Sequence, residues 1–349
     1  METVVSSERR GACIKDFKRP AFAQWFTIAG RFVSVESSDE RLSRLCAAYF
    51  EAWHVSSVNG PQTIQPQVRI IISATGTRPQ PPPDLEPFDV TDGGMCWADS
   101  NTYFFENNGS VVSTLGVLPT QIRIWLDPVR LPQGAALARL IFNAAMAATR
   151  RCGLYQLHSA GLIAPEGNGV LIVGPSGAGK STLATQLVLA GWQYLSDDSV
   201  WLFENGGQIE AHALRRAFAL HEKSFTVEGF RDLDLVANKV EAYDPAKRRF
   251  EPRTIFPRTF REKCLPTTLL FSSITNSART RTRALATAET MARLLRMCPW
   301  ACYDKPIAEA HLRVLAQLAR QAKGFELAAG SDLLGDSEYT SLYLLSQIK

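Results

Sequence analysis

Leu171-Ile-Val-Gly-Pro-Ser-Gly-Ala-Gly-Lys-Ser-Thr182 decides how this chain is organised. Gly174, Gly179, Lys180 and Ser181 satisfy G-x-x-x-x-G-K-S/T, the loop that wraps the phosphates of a nucleotide. The glycines let the backbone bend so that amide groups point inward at anionic oxygens, a concavity that side chains would obstruct. Gly174, Pro175, Ser176, Gly177, Ala178, Gly179, Lys180, Ser181 and Thr182 are therefore expected to surround ATP or another nucleoside triphosphate. In that reading Lys180 reaches the β- and γ-phosphates, Ser181 offers its hydroxyl to Mg²⁺, and the helix that follows adds its positive N-terminal end. An apolar run at 170–173 supplies the strand before the loop, and residues 182–190 supply the helix after it.

Working outward, residues 158–164 read as a strand and Pro165-Glu-Gly-Asn-Gly169 as a turn. Gly-Asn-Gly between two apolar runs signals a hairpin. The strand entering the loop is thus expected to be the second arm of an antiparallel pair, whereas a purely parallel sheet would need a helical crossover there. Downstream, Gly191 stops the helix as a C′ glycine. Residues 192–195 and 199–203 read as strands flanking Ser196-Asp197-Asp198. Two adjacent carboxylates beside a phosphate site can divide the work, one holding Mg²⁺ and the other taking a proton from an attacking hydroxyl. A solvated Asp-Asp turn is the plain alternative.

His158, the loop, the Gly191 helix stop and Ser196-Asp197-Asp198 together resemble the HPr kinase/phosphorylase family, and most of all the small related proteins found beside peptide-modifying enzymes. The match covers about residues 150–205 and extends more loosely to about 330. The resemblance implies an α/β fold with a mixed α+β sheet, a phosphoenolpyruvate-carboxykinase-like nucleotide domain. It implies Asp197 as base toward a serine hydroxyl, His158 near the transferred phosphate, and Lys180 on the phosphates. With Ser181, Asp198 is then left to the metal, and ATP and Mg²⁺ are the expected cofactors. The chain departs from the family in having Thr182 where Glu is usual, and in lacking both the Glu-x-Arg-Gly-Leu-Gly and the Gly-Arg-Asn segments. Phosphate transfer is retained in this reading, while HPr recognition and phosphorolysis are not implied.

The chain has 349 residues, enough for two domains. The expected division is a mainly β portion at 1–130, a connecting helix at 131–152, the nucleotide domain at 153–330 and a tail at 331–349. Residues 1–20 read as loosely ordered. A helix is expected at 38–53, capped by Ser38 or Asp39, with Leu42, Leu45, Cys46 and Tyr49 on one face. Strands are expected at 67–73 and 121–126. Residues 97–105 and 110–115 read as a hairpin around Asn107-Asn108-Gly109. Thr287 reads as the cap of a helix to about 297, followed by a helix at 307–321 and a short strand at 325–327.

Apolar residues make up 46% of the chain and the formal charge is +4, values of an ordinary globular protein without a nucleic-acid-binding face. The longest nearly apolar stretch, 140–148, is too short for a bilayer, and no basic-then-apolar signal opens the chain. Seven scattered cysteines without redox or metal spacing read as thiols of a reducing cytoplasm. Arg279, Arg281 and Arg283 alternate as on a solvated strand edge. Arg215, Arg216, Lys247, Arg248 and Arg249 are candidate phosphate clamps. The expected activity is ATP-dependent transfer of a phosphoryl group to a hydroxyl, with a serine of a peptide or small protein as acceptor, no nucleic acid or membrane partner, and self-association left open. A nucleotide-gated regulatory protein and a true HPr kinase/phosphorylase remain alternatives.

Overall fold

In the computed structural model, described from residue 21 to 348 except for 52, 54, 58–65, 91–93, 100–102, 116–119, 227, 238 and 241–245, the expected mixture of helices and mixed sheets is present. Residues 1–20, read as loosely ordered, lie outside the described residues.

The strand Gly169–Val173 is buried along its whole length, which a run of alternating polarity could not tolerate. Side chains alternate across a sheet, so Val170 and Ile172 enter one apolar cluster while Leu171 and Val173 enter another. The first cluster holds the helix Lys180–Leu189 together with Leu344 of Ser337–Gln347; the second holds Leu294 of Thr287–Met297 and Leu315 and Leu318 of Lys305–Gln321. The sheet between these layers has six strands in the order Gln193–Ser196, Ser159–Ile163, Gly169–Val173, Pro266–Ile274, Lys323–Ala329, Arg281–Leu285. Ser159–Ile163 runs antiparallel to Gly169–Val173, as the Gly-Asn-Gly turn predicts, and Pro266–Ile274 runs parallel to it. Arg281–Leu285 is the sheet's edge, and Arg283 is half exposed and paired with Glu289 and Glu326.

Several local expectations shift. The expected strand over 158–164 begins at Ser159, because Tyr155–Leu157 pairs instead with Val200–Asn205 in a separate four-stranded sheet. His158 falls between the two sheets. The expected strand over 97–105 is two strands, Gly94–Ala98 and Tyr103–Asn107, paired antiparallel. The next turn is as read, with Asn108 and Gly109 at φ +48° and +81°, the pair of left-handed residues a tight hairpin demands. Thr287 is the first helical residue; the N-cap is Ala286, whose N–H donates to Glu289 Oε2 at 3.2 Å.

The N-terminal portion forms a nine-stranded sheet in which Arg31–Ser37, Val68–Ser73 and Thr120–Trp125 pair in parallel and the other neighbours are antiparallel. Asp39 caps the helix Glu40–Glu51 by accepting from Arg41 N–H at 2.8 Å. Its buried face is Leu42, Cys46, Ala47 and Phe50, whereas Leu45, expected there, is 43% exposed. That helix and Gly134–Arg150 pack on the sheet, and the same apolar cluster continues through Trp53 to Trp201, 6.1 Å between ring centroids. Asp304, fully buried, accepts from Arg150 and Arg151 at 3.0 Å and so ties the end of Gly134–Arg150 to the start of Lys305–Gln321. Removing Asp304 from this buried set costs about 3–5 kcal/mol, because the two guanidinium charges lose their acceptor. Residues 331–349, expected as a tail, carry the helix Ser337–Gln347, and Trp192 Nε1 donates to Ser341 Oγ at 2.8 Å. Among the described residues no helix is long and apolar enough to cross a membrane.

His311 of Lys305–Gln321 is buried against Tyr155, 4.8 Å between rings, and neither ring nitrogen has a hydrogen-bond partner among the described residues. Burial pushes its imidazole from 6.5 down to about 3, with Arg150 adding to the shift and Asp304 opposing it. The folded chain thus stays neutral here while the unfolded chain takes up a proton below 6.5. The associated stability is complete above about pH 6.5 and is lost as pH falls toward 3. We predict that His311→Phe flattens this dependence. By denaturant unfolding between pH 7.5 and 5, wild type should lose up to about 1.4 kcal/mol per pH unit more than the variant below pH 6.5. Equal slopes would rule the assignment out.

Candidate nucleotide and phosphoryl-transfer site

The loop leaves the sheet at Gly174. A Cβ there would lie 2.9 Å from Ser272 O on the adjacent strand, so only glycine lets the two backbones approach so closely. Gly177 and Gly179 then take φ of +81° and +80°, and Gly179 caps the helix Lys180–Leu189. Pro175, Ser176 and Gly177 face solvent, while Ala178 is buried.

Lys180 is only 5% exposed. Its Nζ donates to Gly174 O at 2.8 Å, to Pro175 O at 2.9 Å and to His158 Nε2 at 2.9 Å, using all three of its hydrogens. Burial holds its pKa below the ordinary lysine value, against the pull of Asp198 and Asp197. Because His158 Nε2 accepts from an ammonium, the ring must be neutral with its proton on Nδ1, which faces Asp198 Oδ1 at 3.5 Å. Burial first, and then Lys180, Arg215 and Lys247, depress the His158 pKa against the opposing pull of Asp198, in keeping with that state.

The two carboxylates have different surroundings. Asp197 is 1% exposed; Oδ1 accepts from Ser181 Oγ at 2.8 Å and Oδ2 from Ala219 N–H at 3.0 Å. Burial and the adjacent Asp198 charge raise its pKa to about 6. Asp198, with a side chain 37% exposed, lies between His158 and Arg215 Nη2, the latter at 3.6 Å. Burial alone would raise it, but His158, Arg215, Lys180 and Lys247 together hold it below the ordinary carboxylate value. Asp198 has φ +69°, a left-handed conformation that aspartate tolerates better than most residues. This turn is stapled by Ser196, whose Oγ donates to Ser199 O at 2.6 Å and accepts from Arg215 N–H at 2.7 Å.

The structure thus brings Lys180, Ser181, His158, Asp197 and Asp198 together, with Arg215 and Lys247 the candidate clamps that act on this group. Arg248 is committed elsewhere, to Asp234 and Glu222. Ser181 meets Asp197, where the sequence reading coupled it with Asp198. Sequence reasoning missed Ser196 and Ala219, whose contributions come through a turn geometry and a backbone amide that no local pattern announces. Among the described residues no group of three or more His, Cys, Asp or Glu side chains could hold a metal ion unaided.

Neither family models nor curated proteins give a match to this sequence. Among solved structures the chain is similar to the Hpr(Ser) kinase/phosphatase from Coxiella burnetii, at 15% identity and a TM-score of 0.25, over 37% of this chain and 72% of that one. A likeness at that TM-score establishes neither fold nor function.

The Lys180–His158 contact has a direct spectroscopic consequence. We predict that His158 titrates below 6.5 and that Lys180→Met raises its pKa, since the variant removes both the donated hydrogen bond and a neighbouring positive charge. Imidazole ¹⁵N shifts should report the Nδ1–H tautomer at pH 7. An Nε2–H tautomer, or a pKa indifferent to Lys180, would contradict the network.

Proposed function

We propose that this chain is a nucleoside-triphosphate-dependent phosphotransferase, built on a phosphoenolpyruvate-carboxykinase-like nucleotide domain, that moves the γ-phosphoryl group of ATP to a hydroxyl. A serine of a peptide or small protein is the proposed acceptor. The observation that carries the proposal is the cluster in which Lys180 bonds His158, Ser181 bonds Asp197, and His158 and Arg215 lie beside Asp198.

Phosphoryl transfer asks a protein mainly for positioning and charge stabilisation. The loop amides and Lys180 would hold the phosphates, with Lys180 exchanging its loop carbonyls for phosphate oxygens. Ser181 and Asp197 fit Mg²⁺: they are hard oxygen donors in contact, and Mg²⁺ commonly takes one or two protein oxygens and completes its shell with phosphates and water. When bound, the ion would neutralise charge developing on the β- and γ-oxygens.

Asp198 is the better base on this geometry. Asp197 has the pKa nearer neutrality, but both its oxygens are engaged and it is sealed from an incoming acceptor. Reach precedes basicity for a proton acceptor. A loose transition state also releases the hydroxyl proton late, so a weak base suffices. The acceptor oxygen bonds the γ-phosphorus as the bond to the β–γ bridging oxygen breaks. The hydroxyl proton passes to Asp198, and the nucleoside diphosphate departs with the bridging oxygen. Arg215 keeps Asp198 ionised, with the Nδ1 side of neutral His158 facing its Oδ1 at 3.5 Å. This reverses the roles given to the two aspartates on sequence grounds.

Paired variants test the division. Asp198→Asn should leave Mg·ATP binding within about twofold while lowering turnover on serine peptides roughly 10²–10⁴-fold. Asp197→Asn should weaken metal-dependent nucleotide binding, with partial rescue by added Mg²⁺. The opposite pattern would return the base to Asp197. Full turnover in both would sink the roles given to the two aspartates, and no turnover in the wild type despite Mg·ATP binding would sink the phosphotransfer reading in favour of a nucleotide-gated protein. Lys180→Ala should cost about 2–4 kcal/mol of nucleotide affinity, the loss of a charged partner in a desolvated site.

A further inference from the structure

A cavity of about 290 Å³ opens beside the loop, and the phosphotransfer chemistry makes no use of it. Ala178, Gly179 and Thr182 line it, so it is continuous with the phosphate loop, and neither Asp197 nor Asp198 is among its lining residues. It is also lined by Ile274, at the end of Pro266–Ile274, and by Leu334, beyond the end of Lys323–Ala329. These apolar side chains are 64% and 55% exposed, unusual for residues lining a concavity. Ile274 approaches the loop closely: a Cβ on Gly179 would lie 3.2 Å from its Cγ1.

Two of the cavity's polar side chains are committed internally, while Lys223, Ser224 and Ser331 also line it. Gln186 Nε2 donates to Leu333 O at 2.7 Å, and Thr275 Oγ1 donates to Ala329 O at 3.0 Å. Ser272 differs. It is 5% exposed, it lines the cavity, and its Oγ has no hydrogen-bond partner among the described residues. That oxygen lies 3.3 Å from the position of a Cβ on Gly174, beside the start of the phosphate loop. A buried hydroxyl without a partner is a site waiting for a polar ligand atom.

We infer that this cavity receives the ribose and base of the nucleotide, and that it selects a purine by apolar contact area rather than by reading the edge of the ring. The inference rests on the phosphate-loop reading, since the occupant is identified by its continuity with the phosphates. Ile274 and Leu334 are covered by the ring, and Ser272 supplies a hydrogen bond to the nucleoside at the loop end. A larger ring buries more apolar surface, so purines are favoured over pyrimidines. With the neighbouring side-chain amide and hydroxyl already bonded internally, adenine and guanine are poorly distinguished.

Calorimetric titration of the full chain with Mg·ATP, Mg·GTP, Mg·UTP and Mg·tripolyphosphate tests this. Wild type should bind ATP and GTP within about threefold of each other, and both at least about tenfold more tightly than tripolyphosphate, with UTP between. The doubly substituted Ile274→Ser, Leu334→Ser protein changes two exposed positions. It should lose about tenfold in ATP affinity while tripolyphosphate stays within about twofold. Ser272→Ala should weaken ATP and leave tripolyphosphate unchanged. Equal losses for ATP and tripolyphosphate would mean the substitutions act through the loop, and unchanged ATP affinity would mean the cavity is not occupied by the nucleoside; either overturns the inference. Lys180→Ala separates the underlying reading, because it should weaken both ligands. If wild type binds neither, the phosphate loop itself fails and the cavity assignment falls with it.

Discussion

Burial of the strand Gly169–Val173 on both faces is the constraint from which the rest of the six-stranded sheet region follows. Each of its apolar side chains contributes about 1.5–3 kcal/mol by leaving water. Because alternate residues enter different clusters, the strand fixes helices on both sides of the sheet at once. Its C-terminal end is therefore rigid where the loop begins. A flexible glycine-rich loop could adopt many shapes; anchored at Gly174 against Ser272 and at Lys180 in a helix, it has few left.

The site that grows from this anchor is an electrostatic arrangement in which no charge stands alone. Lys180 is desolvated but has three acceptors, one of them a neutral imidazole. Asp197 is desolvated but accepts from a hydroxyl and an amide. Asp198 keeps access to solvent and two partners beside it. The consequence is a pair of neighbouring carboxylates whose proton affinities are driven apart, one raised to about 6 and one lowered, by surroundings rather than by chemistry. Such divergence is what lets identical side chains serve different ends.

The N-terminal sheet is joined to this region through buried contacts. Trp53 packs on Trp201 within one cluster, and the buried Asp304 gathers Arg150 and Arg151 from the connecting helix. His158 lies between the four-stranded and six-stranded sheets. A displacement of either sheet would move its imidazole relative to Lys180 and Asp198. The imidazole is thus coupled to packing far from the loop.

The sequence by itself determined the loop, its flanking strand and helix, the antiparallel hairpin at Gly167-Asn168-Gly169 and the helix stop at Gly191, because each depends on contacts within a few residues. Glycine at a left-handed φ, a capping aspartate such as Asp39 and an unbroken apolar run declare themselves locally. What only the tertiary structure decided is how distant groups share space. The break at His158 depends on which of two sheets its neighbours join. The exposure of Leu45 in place of Phe50 depends on where the nine-stranded sheet lies under its helix. Which aspartate meets Ser181 depends on the left-handed turn at Asp198, held by Ser196 and by the amides of Arg215 and Ala219. Adjacent residues in a sequence carry no record of which way each side chain turns. That direction is set by the partners that satisfy its charge, and those partners arrive from elsewhere in the chain.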